Sequence, residues 1–112
     1  MKIINVSRNT LLADKAVIAG TFFSRLTGLL GRSGLKQGEA LILAPSNAIH
    51  SFFMRFTFDA VFLNRKKQVI GLVPWFKPFR LSRVYFSAVY TIELPSGIIQ
   101  SSNTQIKDQI EF

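Results

Sequence analysis

The stretch from His50 to Val73 constrains the fold of this chain more than any other part of the sequence. Between Phe52 and Phe62 every even-numbered residue is apolar, whereas the odd-numbered residues mix apolar, polar and charged side chains. A period of two is typical of β-strands with one buried face, and helical spacing would instead place Arg55 and Asp59 among the phenylalanines. The stretch therefore predicts the core strands of a β domain.

An unbroken strand from His50 to Asn64 would be about twice the usual length of five or six residues. The sequence therefore predicts two strands with a bend near residues 57–59. The next turn, from Asn64 to Gln68, holds three consecutive cations between apolar runs and contains no glycine. These features predict a solvated hairpin tip with a loop of three to five residues.

The whole chain predicts a mainly β fold, namely one compact sandwich-like or barrel-like domain over residues 1–112, mostly antiparallel, with one short helix near residues 21–31. Its 112 residues, 48% of them hydrophobic, suffice for one core. Polar turn residues and prolines separate the remaining apolar runs. Residues 74–83, which contain two prolines, are predicted to form an extended surface loop. The other predicted strands are 2–6, 11–18, 39–44, 84–94 and 106–112.

Cysteine usage and the N-terminus bear on the compartment. The chain has no cysteine, which excludes disulfides, thiolate metal sites and a cysteine nucleophile. Residues 1–10 lack the apolar core of a signal peptide, and no run approaches the ~20 apolar residues of a membrane span. A cytoplasmic protein without a membrane span is the prediction.

The charge balance points to anionic partners. Lys and Arg number 14 against 6 Asp and Glu, a net charge of +8. Such a balance favours polyanions or an anionic surface as partners, and it also fits a solubility charge spread around the domain.

Several motifs together resemble one prokaryotic family. They are His50-Ser51-Phe52-Phe53-Met54-Arg55, Asp59 with its apolar run, Lys77-Pro78, and Glu93-Leu94-Pro95-Ser96-Gly97. In this order they resemble the family called domain of unknown function 192, with matching upstream residues Gly28-Leu29-Leu30, Arg32, Leu35 and 41–43. The resemblance implies a single β domain with a small helix, often found with an export leader in other members, and no established activity.

Two residues depart from that family pattern near the C-terminus. Lys107 stands before Asp108 where a glycine is usual in the family, and Asn103 replaces another usual glycine. Asn tolerates a left-handed backbone, whereas Lys at a positive φ is strained. We therefore expect the conformation of the last turn to differ from that of the family.

Few residues suit catalysis or metal binding. His50 is the only histidine, and with Ser51 and either Asp59 or Glu93 it suggests a base, a nucleophile and an orienting carboxylate. Adjacent strand residues point to opposite faces, which separates His50 from Ser51. One histidine and two carboxylates without helical spacing make a weak metal set. We predict no metal and no cofactor.

Arg55, Asp59 and the basic loop suggest binding instead. If the chain bends near residue 57, Arg55 and Asp59 either form a structural ion pair or line a polar pocket, to which Arg80 adds a forked donor suited to carboxylate or phosphate. Between Trp75 and Phe86 aromatic residues alternate with cations, as in single-stranded nucleic-acid binders and in interfaces with membranes or proteins. In a third alternative the rings pack into the core and the cations reach solvent.

The sequence thus predicts a non-enzymatic binding module. Its ligand is a small anionic or polar molecule or a partner peptide, and its predicted site residues are His50, Arg55, Asp59, Trp75, Arg80 and Glu93. One alternative is single-stranded nucleic-acid binding through residues 74–86. Another is a small hydrolase or lyase that uses His50 with Asp59 or Glu93.

Overall fold

The structure is a computed structural model that describes residues 1–19, 34–51 and 55–112. The described residues form eight strands and one helical turn. In chain order they are β1 Ile3–Asn5, β2 Thr10–Ala13, β3 Lys15–Ala19, β4 Glu39–Leu43, β5 Phe58–Leu63, β6 Val69–Phe76, β7 Tyr90–Pro95, α1 Ile98–Ser101 and β8 Ile110–Glu111.

The strands form two sheets. The larger sheet has the order β3-β4-β7-β5-β6, in which only β3 and β4 run parallel among the described pairs. The smaller sheet has the order β2-β1-β8 and is antiparallel. The mainly β fold that the sequence predicts is confirmed, whereas the helix predicted near residues 21–31 falls outside the described residues.

Each face of the larger sheet has its own hydrophobic core. On one face, Val61 and Leu63 of β5 pack with Ile3 and Leu12 of the smaller sheet and with Ile98 of α1. On the other face, a second group of apolar residues packs beneath irregular segments of chain; its members include Leu41, Ile49, Phe58, Phe62, Phe76 and Tyr85. Among the residues that the structure describes, one face is therefore covered by regular structure and the other largely by loops.

Strand β5 corrects the prediction of a single buried face. Phe58, Ala60 and Phe62 are buried as predicted, but Asp59 and Val61 are buried as well. The reason is that β5 lies between β7 and β6, and both faces of the sheet are covered. The strand begins at Phe58 after a bend at residue 56, one residue before the predicted corner at 57–59, and residues 55–57 are not part of a strand. Phe52, Phe53 and Met54 lie outside the described residues.

The other predicted strands agree in position more than in length. The predicted strand 11–18 divides at Asp14 into β2 and β3, which belong to different sheets. The first half of the predicted strand 84–94 is irregular, and β7 begins only at Tyr90. Between β5 and β6 the loop spans residues 64–68, five residues as predicted, closed by a hydrogen bond of 3.0 Å from the Asn64 N–H to the Gln68 carbonyl.

Candidate functional site

The pairing of β5 with β6 contains a bulge beside Asp59. Ala60 pairs with Val73 and Phe58 pairs with Phe76, so one residue of β5 faces two residues of β6. Strand β6 therefore continues through Pro74 to Phe76, a correction to the predicted loop, because a bulge accommodates a proline that lacks an N–H. The second bulge residue, Trp75, has a φ of 53°, in the left-handed region that a bulky side chain rarely adopts.

Asp59 holds this bulge and the start of α1 together. Its Oδ1 accepts a hydrogen bond of 3.0 Å from the Trp75 N–H. Its Oδ2 accepts hydrogen bonds from the Gly97 N–H at 3.1 Å and the Ile99 N–H at 2.8 Å. A buried carboxylate thus satisfies three backbone donors, two of them at the first turn of a helix that has no side-chain cap of its own.

Ser51 fixes the segment that follows β6. It is completely buried, and its hydroxyl donates to the Lys77 carbonyl and accepts a hydrogen bond of 2.9 Å from the Arg80 N–H. Backbone hydrogen bonds also join the Phe79 N–H to the Ser51 carbonyl and the Ser51 N–H to the Arg80 carbonyl, both at 2.9 Å. His50 forms an antiparallel bridge with Leu81. Residues 79–82 are therefore joined to residues 49–51 by backbone hydrogen bonds.

We call residues 74–86 the aromatic-basic segment. Two of its aromatic residues are internal: Phe76 is buried, and the Tyr85 ring stacks on Phe62 with 4.2 Å between centroids. Trp75 and Phe79 are 55% and 58% exposed, and Phe79, like Trp75, has a left-handed backbone, with a φ of 59°. Phe76 is thus buried and Tyr85 is partly buried, whereas the strained positions present their rings to solvent.

The charged residues of the sequence between Asp59 and Glu93 all have the same sign. Between Asp59 and Glu93 the sequence contains no carboxylate, although it contains six cations: Arg65, Lys66, Lys67, Lys77, Arg80 and Arg83. Within the segment Lys77, Arg80 and Arg83 are all exposed. The exposed rings are therefore interspersed with exposed cations.

The structure divides the predicted site residues into groups. Asp59 lies beside Trp75, and His50 lies beside Leu81, next to Arg80. Arg55 is exposed, whereas Asp59 is buried with its carboxylate on backbone amides, so in the described part of the chain the Arg55–Asp59 pair does not form.

Asp59 and Glu93 lie on opposite faces of the larger sheet. Asp59 pairs with Leu94, which belongs to the core beneath the smaller sheet. Glu93 pairs with Ala60, which belongs to the core beneath the loops. Because paired residues in a ladder share a face, the two carboxylates point away from each other. They do not line one polar pocket.

A shallow depression of about 360 Å³ is lined by Pro45, Ser46, Asn47, Ala48 and Ala88. None of the predicted site residues lines it. Within residues 1–19, 34–51 and 55–112, no three His, Asp or Glu side chains are grouped as a metal ion would require. In the same ranges, no helix has the length and apolar character needed to cross a bilayer.

Sequence reasoning did not identify the role of Ser51. Considered as a nucleophile, it is instead a buried connector between two loop backbones. The sequence also did not predict that Leu81 is exposed. A single leucine between cations forms no periodic pattern from which a buried or an exposed face could be inferred. The proline-interrupted loop leaves backbone groups without partners in a β-ladder, and a serine hydroxyl can satisfy such groups. This was the one signal in the sequence that could have indicated the role of Ser51.

Comparison with known proteins places these features in a family context. A family model described as "Uncharacterized ACR" matches residues 3–112. A UPF0127 protein of Pyrococcus abyssi is 32% identical over 98% of this chain and 96% of its own length. Another, from Thermococcus sibiricus, is 31% identical over 98% of this chain and 73% of its own length.

Two solved structures share the fold. A protein of unknown function from Novosphingobium aromaticivorans superposes with a TM-score of 0.83 and 15% identity, covering 99% of this chain and 82% of that one. A protein from Sinorhizobium meliloti, described as a putative transcription regulator, has a TM-score of 0.79 and 16% identity over 98% of this chain and 89% of that one. At these identities the likeness concerns the fold alone.

Proposed function

The chain belongs to the family called domain of unknown function 192, whose members are uncharacterised, and from its own geometry we propose that it is a non-enzymatic binding module. Its binding surface is the aromatic-basic segment, and its partner is an anionic or polar ligand or a peptide. The observation that carries the proposal is the pair of exposed rings at Trp75 and Phe79 on left-handed backbones, held by buried Asp59 and Ser51.

The energetic argument is that strain of this kind persists only where surrounding structure enforces it. A bulky residue in the left-handed region costs of order 1–3 kcal/mol, and such residues cluster at binding and catalytic sites. Here the enforcing groups are a fully buried carboxylate and a fully buried hydroxyl. A surface that is held rigid before its partner arrives loses little conformational entropy on binding.

Binding is favoured over hydrolysis because the groups that catalysis would use are occupied. Asp59 accepts three backbone hydrogen bonds, and the Ser51 hydroxyl is buried between Lys77 and Arg80. A nucleophile needs access to substrate and a base within about 3 Å. A hydrolase that uses His50 with Asp59 would need this carboxylate released from its three backbone donors.

Single-stranded nucleic acid is the second candidate partner. The specific observation in its favour is that exposed rings alternate with exposed cations in a stretch free of carboxylates. Bases stack on such rings while cations neutralise phosphates. Its affinity would fall steeply with salt.

The proposed function is testable because Trp75 is the only tryptophan of the chain. Its emission is to be followed during titration with acidic peptides, sugar phosphates, oligonucleotides and lipid vesicles, alongside thermal-shift measurements. We expect at least one class to change the emission and raise the melting temperature. Arg80→Ala should weaken that binding at least about tenfold, since a hydrogen bond to a charged group contributes about 1.5–3 kcal/mol.

Arg65→Ala is the matched control because Arg65 is an exposed arginine in the loop at the opposite end of β6. It should leave the affinity within about twofold, as expected of a solvated charge outside the contact. No change in Trp75 emission with any class of compound would contradict the proposed function.

A further inference from the structure

The aromatic-basic segment carries several large apolar side chains that are exposed to solvent. Phe86 is 90% exposed at the apex of a turn closed by a 2.8 Å hydrogen bond from the Ala88 N–H to the Tyr85 carbonyl. Leu81 is 70% exposed, and Val84 is exposed as well. Single exposed apolar residues are ordinary, but five within residues 75–86 are a concentration typical of interaction surfaces. The five are Trp75, Phe79, Leu81, Val84 and Phe86.

We infer that this surface docks on an anionic lipid bilayer, with the apolar side chains entering the headgroup region and the cations contacting anionic headgroups. The inference rests on the proposed function and names its partner. Tryptophan and phenylalanine favour the interface of a bilayer, and Lys or Arg beside them add attraction to anionic lipids. Lys77, Arg80 and Arg83 occupy those positions here.

The aliphatic members of the set favour lipid over nucleic acid. Bases bind by stacking on flat rings, to which Leu81 and Val84 contribute nothing. Both side chains would gain from transfer out of water at a bilayer surface, at ~25 cal/mol per Å² of apolar area. An exposed phenylalanine at a turn apex is likewise placed to enter the headgroup region before the rest of the domain makes contact.

Charge and rigidity point to the same partner. Lys77, Arg80 and Arg83 are exposed, and residues 74–86 contain no carboxylate, so an anionic surface meets attraction and no repulsion from the segment. The hydrogen bonds from Ser51 and Asp59 order the segment in advance. Docking therefore fixes few additional backbone groups, and most of the gain from apolar contact is retained.

The test uses the full chain and vesicles of phosphatidylcholine with or without phosphatidylglycerol. We expect the emission of Trp75 to shift to shorter wavelength and the protein to sediment with the mixed vesicles only. Phe86→Ser should lower the partition coefficient about tenfold. Arg83→Ser should lower it about fivefold, the value of one cation near an anionic surface.

Matched controls distinguish binding through this surface from nonspecific adsorption through any exposed apolar residue or cation. Leu11→Ser removes an exposed apolar residue of β2, in the smaller sheet, and Lys66→Ser removes an exposed cation of the loop between β5 and β6. Both variants should bind the mixed vesicles as the parent does.

Other outcomes would overturn the inference. If polyuridylate or an acidic peptide changes Trp75 emission while mixed vesicles do not, lipid docking is wrong and the proposed function stands. If no probe changes the emission, both fail. If mixed vesicles bind Phe86→Ser and Leu81→Ser as tightly as the parent chain, the contact is purely electrostatic and apolar insertion is wrong.

Discussion

The backbone N–H of Trp75 donates a hydrogen bond of 3.0 Å to Oδ1 of Asp59, a residue with no exposed surface. The other carboxylate oxygen accepts from the amides of Gly97 and Ile99 at the start of α1. One side chain of β5 thereby fixes both an exposed ring and a helical turn. This relationship links the core of the protein to its proposed binding surface.

Removing the Asp59 carboxylate should destabilise the fold and change the environment of the Trp75 ring. Asp59→Ala leaves buried backbone donors unsatisfied, and we expect a loss of about 2–4 kcal/mol in the free energy of unfolding. Asp59→Asn should cost less, because its amide keeps one acceptor oxygen. Urea unfolding followed by Trp75 emission measures both. Glu111→Gln, at an exposed carboxylate of β8, is the control and should change stability by less than about 0.5 kcal/mol.

Ser51→Ala should loosen the aromatic-basic segment more than it destabilises the domain. The hydroxyl joins the Lys77 carbonyl to the Arg80 N–H, and its loss should cost about 1–2 kcal/mol. Amide hydrogen exchange at Arg80 should accelerate, while exchange in β7 changes only with global stability. Ser87→Ala, in an exposed turn, should change neither quantity. Unaltered exchange at Arg80 would show that Ser51 does not hold the loop.

The sequence predicted the strands near this site but could not predict their environment. Alternation in β5 indicated a strand, yet the residues of both its faces are buried. This burial could not be predicted from the local pattern, because the smaller sheet and the loops that cover β5 are distant in sequence. Pro74 favoured the prediction of a loop, but Pro74 belongs to β6 because a bulge stabilised by Asp59 accommodates it. His50 and Arg80 come together only through the pairing of residues 49–51 with 79–82, which no local pattern encodes.

Two variants of Phe79 distinguish strain from simple loss of the ring. Both Phe79→Gly and Phe79→Ala remove the ring, but only glycine adopts a φ of 59° without a steric penalty. We expect the glycine variant to be more stable than the alanine variant by about 1 kcal/mol, the reverse of the order at ordinary positions. Thermal unfolding of the two proteins measures the difference. Equal stabilities would contradict the claim that the backbone is strained here.

Lys107 should be replaceable by glycine with a gain in stability. It has a φ of 77°, so the last turn keeps a left-handed residue even though this chain has lysine there. Its N–H still donates to the Val69 carbonyl at 2.8 Å. Lys107→Gly should raise the free energy of unfolding by about 1 kcal/mol. Lys66→Gly is the control, since Lys66 lacks a positive φ and its replacement should be neutral or destabilising.

Asp108 should make stability depend on pH in acid. It is buried at the centre of a network that joins the first hairpin to the last turn, with Arg8 Nε at 3.0 Å and Asn5 Nδ2 at 2.9 Å from its Oδ2. Burial alone would raise the pKa of this carboxyl, but hydrogen bonds from Arg8, Asn5 and the Gln105 N–H outweigh it and hold the pKa below its ordinary value of 3.8.

The sign of the effect follows from that depressed pKa. The unfolded chain binds a proton at Asp108 more readily than the folded chain does, so the stabilisation is fully present above 3.8 and is lost as the pH falls through the lower folded pKa. In urea unfolding at a series of pH values, the stability difference between the parent chain and Asp108→Asn should shrink in that range. Arg8→Met should show a smaller pH dependence than the parent chain, because it lacks the guanidinium that lowers the pKa. A difference between parent and Asp108→Asn that stays constant from neutral pH to well below 3.8 would mean that the network does not favour the ionised form.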